Sequence, residues 1–412
     1  MSRLFLFLII SVIPRSSFQD NPHHSFRVVQ EDDLTIAITS AGPKYREPLF
    51  EYYEVVQLNQ DPAQEESILF RPHKFTRGSD GNFYVIDSGN HRVAVFNEHG
   101  EYVRSFGSEG AGPGAYRRMR FQGLYGNILH ILDSDLRRTT LVHLDGTVID
   151  VLTMPRPKTW DVPSRFQLSE DKQLLLSNLN ELGMEYTTQM ASVTIVNSEY
   201  DTLLHTRTDA VEISIVADIP GEPGTRNGVM VHFPGYPCAA YSPEVGILLT
   251  DGRHPVIDQY DTLGKQIRRI ELDMPPEQVP NRERRWLNDE ANRKIVESSG
   301  LQRDAARMRR NLLTIADPKG YWAEMAIDDA GFIWLSVVEN WYHYDDNPDT
   351  DVCDIFSPVG EYLGRTELPD SFDDCVAVGG YLCVIHEDLE TGDYYPTVYE
   401  IHPAIPGLEY PN

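Results

Sequence analysis

The sequence predicts an all-β fold, a six-bladed β-propeller with a helical insertion between the fourth and fifth blades. Two observations predict it: short apolar strands recur along the chain, and tight polar turns separate them at regular intervals. A ring is favoured over a β-sandwich because the spacing is regular and a closed ring leaves few sheet edges exposed. The turns expected to join the first two strands of a unit lie at Asp80-Gly81, Gly126-Asn127, Glu170-Asp171, Glu244 to Gly246, Ala330-Gly331 and Gly379-Gly380.

The clearest repeat unit runs from Gly78 to Gly107, and its aromatic and β-branched residues are typical of half-buried strands. The next turn of the unit recurs at Gly100, Gly146, Gly264 and Gly360. Three of these blocks carry an aspartate 13 residues before the glycine, at Asp87, Asp133 and Asp251. Asp87, Asn90 and Arg92 are partly repeated in the next blade, by Asp133 and Arg138. Because these residues recur from blade to blade, we expect a structural role, in which the aspartates bond loop amides and the arginines tie adjacent blades together.

The expected domain organisation is a single propeller over residues 51–403. The last block supplies only three strands, so the N-terminal segment 52–58 is expected to close the sixth blade. Arginines alternate with apolar residues over 280–313, which predicts an amphipathic helical insertion there. The remaining segments are assigned as a signal peptide (1–18), an N-terminal linker (19–50) and a C-terminal tail (404–412).

Composition and the N-terminus limit the function. The formal net charge of −27 argues against a nucleic-acid partner, because phosphate binding needs surplus Lys and Arg. The apolar run Leu4 to Pro14 is too short to cross a bilayer and is typical of a signal peptide. No cysteine follows it, so we expect a periplasmic or secreted protein without a lipid anchor. No transmembrane segment and a monomeric state are expected.

The four cysteines show no metal-ligand spacing. If Gly379-Gly380 forms a two-residue hairpin, Val376 lies opposite Cys383, so that Cys375 and Cys383 point to opposite faces of the sheet. Free thiols are therefore predicted.

The segment Asp80 to Phe96, DGNFYVIDSGNHRVAVF, resembles an NHL repeat, and the Gly-rich stretch Phe106 to Tyr116 resembles the connector of bacterial six-bladed propellers in that family. The resemblance is close for the first blade and weaker for the others. It implies the propeller fold, but NHL-like propellers include scaffolds, lactonases and lyases. Fold alone therefore gives no function.

In a propeller, the loops between second and third strands and the connections between blades share one face. The long, irregular loops of this chain all fall on that face, which is where functional loops are expected. Residues just before each innermost strand should surround the channel mouth there, and they are cationic and aromatic. The predicted ligand-binding residues are Arg71, His73, Arg118, Arg120, Arg165, Tyr236 and Trp322.

A metal site is less favoured. The acidic run 345–351 has oxygen ligands at alternate positions, as calcium requires, but lacks the glycine and the final Glu of a calcium loop. Its weak candidate ligands are Asp345, Asn347, Asp349 and Asp351. No catalytic residues are assigned. If the protein is an enzyme, His73, Glu324 and Asp373 are the candidate residues of its catalytic site.

The sequence favours a binding or interaction scaffold without a cofactor, holding a protein, a glycan or a small anionic ligand on the loop-rich face. The alternative is a metal-dependent hydrolase or lyase of the lactonase-like kind, with calcium or another divalent ion. Whether the protein is an enzyme stays open, and the binding role is favoured.

Overall fold

The computed structural model describes residues 20–153, 175–177, 188–189, 192–196, 202–209, 211–212, 214–218, 226–232, 234–286, 314–315, 318–338, 351–388 and 390–411. Three strands precede the first blade: β1 (Ser25–Glu31), β2 (Leu34–Ser40) and β3 (Phe50–Gln57). Short 3₁₀ helices lie at Glu65–Ser67, Ser88–Asn90 and Phe372–Asp374.

The fold is an all-β propeller, in which five sheets of at least four strands form blades A to E. Blade A contains β4 (Pro72–Arg77), β5 (Phe83–Asp87), β6 (Arg92–Phe96) and β7 (Tyr102–Phe106). A short parallel pair, β8 (Ser108–Glu109) and β9 (Ala115–Tyr116), leads to blade B. Blade B contains β10 (Met119–Tyr125), β11 (Ile128–Asp133), β12 (Arg138–His143) and β13 (Val148–Thr153).

The region between blades B and C forms smaller sheets in the described residues. β14 (Leu175–Ser177), β16 (Ser192–Val196) and β17 (Thr202–Arg207) form a three-stranded antiparallel sheet. β15 (Thr188–Gln189) pairs with β18 (Val211–Glu212). β19 (Ser214–Asp218) and β20 (Arg226–His232) form a sheet with β25 (Thr314–Ile315).

The last three blades follow. Blade C contains β21 (Cys238–Ser242), β22 (Gly246–Thr250), β23 (Val256–Tyr260) and β24 (Gln266–Asp273). The helix α1 (Asn281–Trp286) comes next. Blade D contains β26 (Trp322–Ile327), β27 (Ile333–Val337), β28 (Val352–Phe356) and β29 (Tyr362–Glu367). Blade E contains β30 (Cys375–Val378), β31 (Tyr381–Glu387) and β32 (Tyr394–Pro403), and β3 pairs antiparallel with β32 as its outermost strand.

Two parts of the predicted architecture are not confirmed. The described residues show five such blades rather than six, because the block assigned to the third predicted blade forms only the three-stranded sheet β14-β16-β17. Its expected first turn, Glu170-Asp171, lies outside the described residues. The predicted helical insertion 280–313 is represented only by the six residues of α1, because 287–313 also lie outside.

The recurring glycine turn has the same geometry in four blades. Gly100, Gly146, Gly264 and Gly360 all adopt a left-handed backbone, with φ of 79°, 93°, 81° and 88°. Each donates its N–H to the carbonyl three residues earlier, at 2.8–3.0 Å. In each of these blades the strand after the turn carries one extra residue, which shifts its register against the preceding strand: Val103, Ile149, Ile267 and Leu363. This explains the sequence pattern, because only glycine adopts a left-handed conformation without a steric penalty.

Burial follows strand position within a blade. The second and third strands of blade A, β5 and β6, are almost wholly buried, whereas the outer strand β7 alternates between half-buried and exposed residues. Middle strands are covered on both faces by the neighbouring blades, so they read as continuous apolar runs. The core consists of clusters between blades, such as that of Tyr84, Ile86, Leu129 and Ile131 between blades A and B.

The segment predicted as a linker is structured. β1 and β2 form a hairpin, and β2 pairs in parallel with β24, so blade C becomes a six-stranded sheet. The sequence prediction of a linker over 19–50 is therefore wrong. The segment forms strands because β24, the outer strand of the folded blade C, provides an edge with which β2 can pair. The predicted C-terminal tail also packs into the core, through Ile405 and Tyr410.

The cysteine prediction is confirmed. Val376 pairs with Cys383, and Cys375 pairs with Val384, so the two cysteines lie on opposite faces of the hairpin. All four cysteines are free thiols. Burial raises the pKa of Cys353, Cys375 and Cys383, which keeps these thiols protonated.

Candidate ligand site in the central channel

The innermost strands of the five blades, β4, β10, β21, β26 and β30, line one cavity of ≈ 740 Å³. Pockets of this size accommodate a small molecule. Every innermost strand runs in the same direction, so the lining residues sort into two ends of a channel. His73, Lys74 and Arg120, near the strand beginnings, form what we call the basic end. Glu244, Asp328 and Asp329, at the first turns of blades C and D, form the acidic end.

β-Bulges on the innermost strands shape the lining. Register shifts occur between Pro72 and Phe75 in β4, between Phe121 and Gly123 in β10, and between Trp322 and Glu324 in β26. An extra residue breaks the alternation of side chains, so neighbours in sequence can share one face. As a result, both His73 and Lys74 line the cavity.

His73 is a neutral imidazole that links blades A and B. Its Nδ1 accepts the backbone N–H of Phe121 at 3.3 Å. Burial, together with the nearby cations Lys74 and Arg120, lowers the pKa of His73 from 6.5 to about 4. Because Nδ1 is an acceptor, the single ring proton of the neutral form lies on Nε2. His73 is thereby a hydrogen-bond donor of fixed tautomer at the basic end.

Carboxylates accompany the basic end. Lys74 Nζ forms an ion pair with Asp373 at 3.8 Å, and Asp373 itself is largely exposed. Glu324 also lines the cavity. Burial and the neighbouring carboxylate of Asp370 raise the pKa of Asp374 to about 6. The basic end therefore combines donors with acidic neighbours.

Three glycines, Gly235, Gly252 and Gly320, position Tyr236, because they allow neighbouring backbone segments to pack directly against one another. Tyr236 donates its N–H to the carbonyl of Trp322 at 2.8 Å, and Trp322 donates its N–H to that of Gly252 at 3.1 Å. A Cβ on Gly252 would lie 2.3 Å from the Tyr236 oxygen, and one on Gly320 would lie 2.2 Å from the Gly235 nitrogen. Only glycine permits these segments to approach so closely, and the approach places Tyr236 in the cavity wall.

The acidic end is organised by Asp328, which is 3% exposed. Its Oδ1 accepts the N–H groups of Ala330 and Phe332, at 3.0 and 2.8 Å. Its Oδ2 accepts the Trp334 Nε1–H at 2.9 Å and the Tyr410 hydroxyl at 2.7 Å. Despite these donors, burial raises the pKa of Asp328 to about 6.

Two tyrosines flank the acidic end. Tyr125 and Tyr241, at the ends of β10 and β21, both line the cavity, with ring centroids 6.0 Å apart. His130 packs edge-on against Tyr125 at 4.9 Å. Burial lowers the pKa of His130 to about 4, so it is neutral at physiological pH.

The predicted site residues divide into three groups. His73, Arg120 and Tyr236 line the cavity together. Arg71 and Arg118 are exposed and are not among the lining residues, and Arg71 lies over the Phe70 ring at 5.3 Å. Arg165 lies outside the described residues.

The prediction for Trp322 is wrong. Trp322 is fully buried in the core cluster between blades C and D, and its Nε1–H donates to Asp354 Oδ2 at 2.9 Å. Tyr362 and Arg365 donate to the other oxygen of the same carboxylate, at 2.7 and 2.8 Å. Ala323 is the extra residue of the bulge in β26. Because of this bulge, Ala323 and Glu324 both face the channel, and the Trp322 ring points into the interface between the sheets.

Sequence reasoning missed Lys74, Tyr125, Tyr241 and Asp328 among the lining residues. Lys74 is adjacent to His73, and strict alternation would place it on the opposite side. Tyr125 and Tyr241 lie near the far ends of β10 and β21, so a search restricted to the residues that precede each innermost strand does not reach them. His73, Glu324 and Asp373, the candidate residues of an enzyme site, do all line the cavity.

The structural role predicted for the repeated aspartates is confirmed. Asp87 accepts the Phe70 N–H and the side chains of Asn90 and Arg92, each at 2.8 Å. Asp133 accepts four loop N–H groups, and Asp251 accepts two. Arg138 donates to three carbonyls of the connector that joins blade A to blade B.

Of the weak metal candidates, Asp345, Asn347 and Asp349 lie outside the described residues. Asp351 is described, and its Oδ2 accepts the Phe372 N–H at 2.8 Å. Burial raises the pKa of this carboxyl. Over the described ranges, no group of three or more His, Cys, Asp and Glu side chains is arranged to hold a metal ion.

Comparison with known proteins identifies one family motif. An NHL repeat model matches residues 71–96, the part of the chain that contains β4, β5 and β6. No curated protein matches the chain. Within the described residues, no helix is long and apolar enough to cross a membrane.

Several solved structures are similar to the chain at low identity. A Bacteroides fragilis protein named as exported is 9% identical, with 90% of this chain and 100% of that chain covered and a TM-score of 0.48. A DUF4221 family member from Bacteroides vulgatus is 10% identical, with coverages of 87% and 100% and a TM-score of 0.46. Virginiamycin B lyase from Staphylococcus aureus is 10% identical, with coverages of 87% and 90% and a TM-score of 0.36.

Proposed function

We propose that this protein is a binding protein that holds a small anionic molecule in its central channel, at the basic end. His73, Lys74 and Arg120 bind the anionic group, and Tyr236 packs against the rest of the ligand. The observation that carries the proposal is His73, a neutral donor of fixed tautomer near the cations Lys74 and Arg120, in a cavity large enough for a small molecule.

The charges of the molecule favour an anion at this end over a cation. The chain as a whole is strongly acidic, with a formal net charge of −27, yet two of its cations converge on one end of the channel. Charge-assisted hydrogen bonds from Arg and Lys are the strongest polar contacts available to a carboxylate or phosphate. The carboxylates Asp373 and Glu324 would repel a second negative group, so the ligand is expected to carry its charge at one end.

The proposal includes a closed ring and export. The three-stranded sheet β14-β16-β17 has the antiparallel pairing of the other blades and the same register shift before its last strand, between Ile195 and Val196. We infer that it belongs to a sixth blade between blades B and C.

The apolar run from Leu4 to Pro14 supports passage to the periplasm or the exterior.

Calorimetric titration with sulfate, inorganic phosphate and citrate tests the binding proposal. The wild-type chain should bind at least one of these anions, and Arg120→Gln should weaken that binding by about tenfold or more, the loss of one charge-assisted contact. Arg117→Gln is the matched control, because Arg117 is an exposed arginine just before β10 and is not among the cavity-lining residues.

Equal weakening by the two variants, or no binding of any of the three anions, would overturn the proposal. A parallel titration with calcium and with a chelator separates the alternative function. Anion binding that requires the divalent ion, accompanied by cleavage of a lactone, would favour a metal-dependent hydrolase instead.

A further inference from the structure

We propose that β1 is a dimerisation strand, which pairs antiparallel with β1 of a second copy of this chain across a two-fold axis through Val29. Two copies of blade C would then form one continuous sheet. The sequence alone predicts a monomer. The proposal of a dimer depends on the β1-β2 hairpin, which the structure reveals. It is independent of the proposed channel function.

The hairpin is held rigidly on the propeller, with β1 outermost. β2 pairs with β24 over six residue pairs, and the Tyr362 N–H donates to Thr39 Oγ1 at 3.1 Å. Lys265 Nζ forms an ion pair with Asp33 at 2.9 Å in the hairpin turn. β1 pairs with β2 on one side only, so its other edge presents unpaired backbone N–H and C=O groups.

β1 also exposes apolar side chains at its edge. Six of its seven residues are exposed, and Val28 and Val29 remain 55% and 37% exposed. Adjacent residues of a strand point to opposite faces, so both faces of this edge carry an exposed valine. A partner strand would cover both.

The charges of β1 select one register. In an antiparallel pair, opposed residues either exchange both hydrogen bonds or exchange none. A two-fold axis relating two copies of one strand therefore passes midway between the two copies of one residue, and we describe it as an axis through that residue. An axis through Val29 places Arg27 of each copy opposite Glu31 of the other. An axis through Arg27 or Glu31 opposes like charges, and one through Val28 leaves both charges opposite neutral residues. An axis through Gln30 places Glu31 opposite Val29 and Arg27 opposite Asp33, which lies beyond the strand in the hairpin turn.

The outer strands of the other blades do not offer such a pairing. Within the described blades, β7 carries only Arg104 and β13 carries only Asp150, so neither can oppose unlike charges in a self-pair. β3 carries only the acidic Glu51 and Glu54. β29 has both signs, but the N–H groups of residues 44, 45 and 49 donate to its carbonyls and cover its edge. Isolated charges protect exposed edges from pairing, and β1 alone among these edges is self-complementary.

Sedimentation equilibrium of the full chain tests the proposal. The wild type should show a concentration-dependent dimer. Arg27→Glu and Glu31→Arg should each weaken dimerisation by about tenfold or more, because each places like charges opposite one another twice. Both side chains are exposed, so the thermal midpoint should be unchanged at concentrations at which the wild type is monomeric.

Mixing makes the test specific to the register. An equimolar mixture of the Arg27→Glu and Glu31→Arg chains should form a heterodimer, and the doubly substituted chain should dimerise again. Arg104→Glu on β7 is the matched edge control and should leave the dimer intact. A monomeric wild type at every concentration, or no association on mixing, would overturn the proposal.

Discussion

The two ends of the channel differ in how they are built as well as in their charge. The acidic end depends on side-chain hydrogen bonds, since one carboxylate, Asp328, accepts four donors from blade D and from the C-terminal segment. The basic end depends on backbone contacts and bulges, with Gly252 packed against two carbonyls and His73 fixed by a main-chain N–H.

The difference is consistent with their separate roles. At the acidic end both carboxylate oxygens of Asp328 accept hydrogen bonds from within the protein, which gives it a structural role. At the basic end the backbone positions side chains without occupying all of their donors, as the Nε2 proton of His73 illustrates. A ligand is therefore expected to contact the end that the main chain organises.

The largest expected effect is at the acidic end. Asp328→Ala removes the acceptor of four donors, and it should lower the free energy of unfolding by about 4 kcal/mol, since several buried groups lose their partner at once. Urea unfolding measures this. The control Asp329→Ala, an exposed neighbour that accepts only the Gly379 N–H, should cost about 1 kcal/mol. Similar losses in both variants would contradict the structural role of Asp328.

The next effect is at the basic end. A Cβ on Gly252 would meet the Tyr236 and Trp322 oxygens at 2.3 and 2.5 Å, at a φ of +67°. Gly252→Ala should therefore cost about 3 kcal/mol and reduce anion affinity by moving Tyr236. Gly126→Ala is the control, because its φ is +57° but nothing lies within 4 Å of the added Cβ. It should cost about 1 kcal/mol. Equal costs at the two positions would show that the close backbone contact is not needed.

The smallest effect is a difference in pH dependence between the ends. Folded His73 takes up its proton near pH 4, whereas the unfolded chain does so near 6.5, so its contribution to stability is lost as pH falls between those values. Asp328 takes up its proton near pH 6 in the folded state and near 3.8 when unfolded, so its contribution to stability grows as pH falls through that window. Urea midpoints measured from pH 6.5 to 4 should fall less steeply for His73→Gln than for the wild type, and more steeply for Asp328→Ala. Parallel profiles for all three chains would contradict the assigned pKa directions.

Much of the blade structure could be predicted from the sequence because it is local. The turn at Gly100 needs a left-handed residue whatever surrounds it, and Asp87 bonds Asn90, Arg92 and the Phe70 N–H, which lies just before the first strand of the same blade. The relation between Cys375 and Cys383 follows from the length of one hairpin. These features depend on contacts between residues close in the chain, so a repeat pattern indicates them.

The composition of the channel was only partly predictable. His73, Arg120 and Tyr236 were found because they precede innermost strands, but Lys74 enters the cavity and Trp322 leaves it through bulges. A single inserted residue reverses the face of every side chain that follows it in the strand. The signal for a bulge lies in the pairing of two strands, which the sequence of one strand does not contain.

The sequence by itself determined the propeller architecture, the recurring turns and the loop aspartates, because turn and strand preferences are properties of short segments. The tertiary structure decided which side chains meet in the channel, and it gave the segment 25–40 an edge to pair with at β24. Residues as distant as His73, Tyr236 and Asp373 converge only when the blades close around an axis. That convergence depends on packing between blades, so it is set by the whole chain.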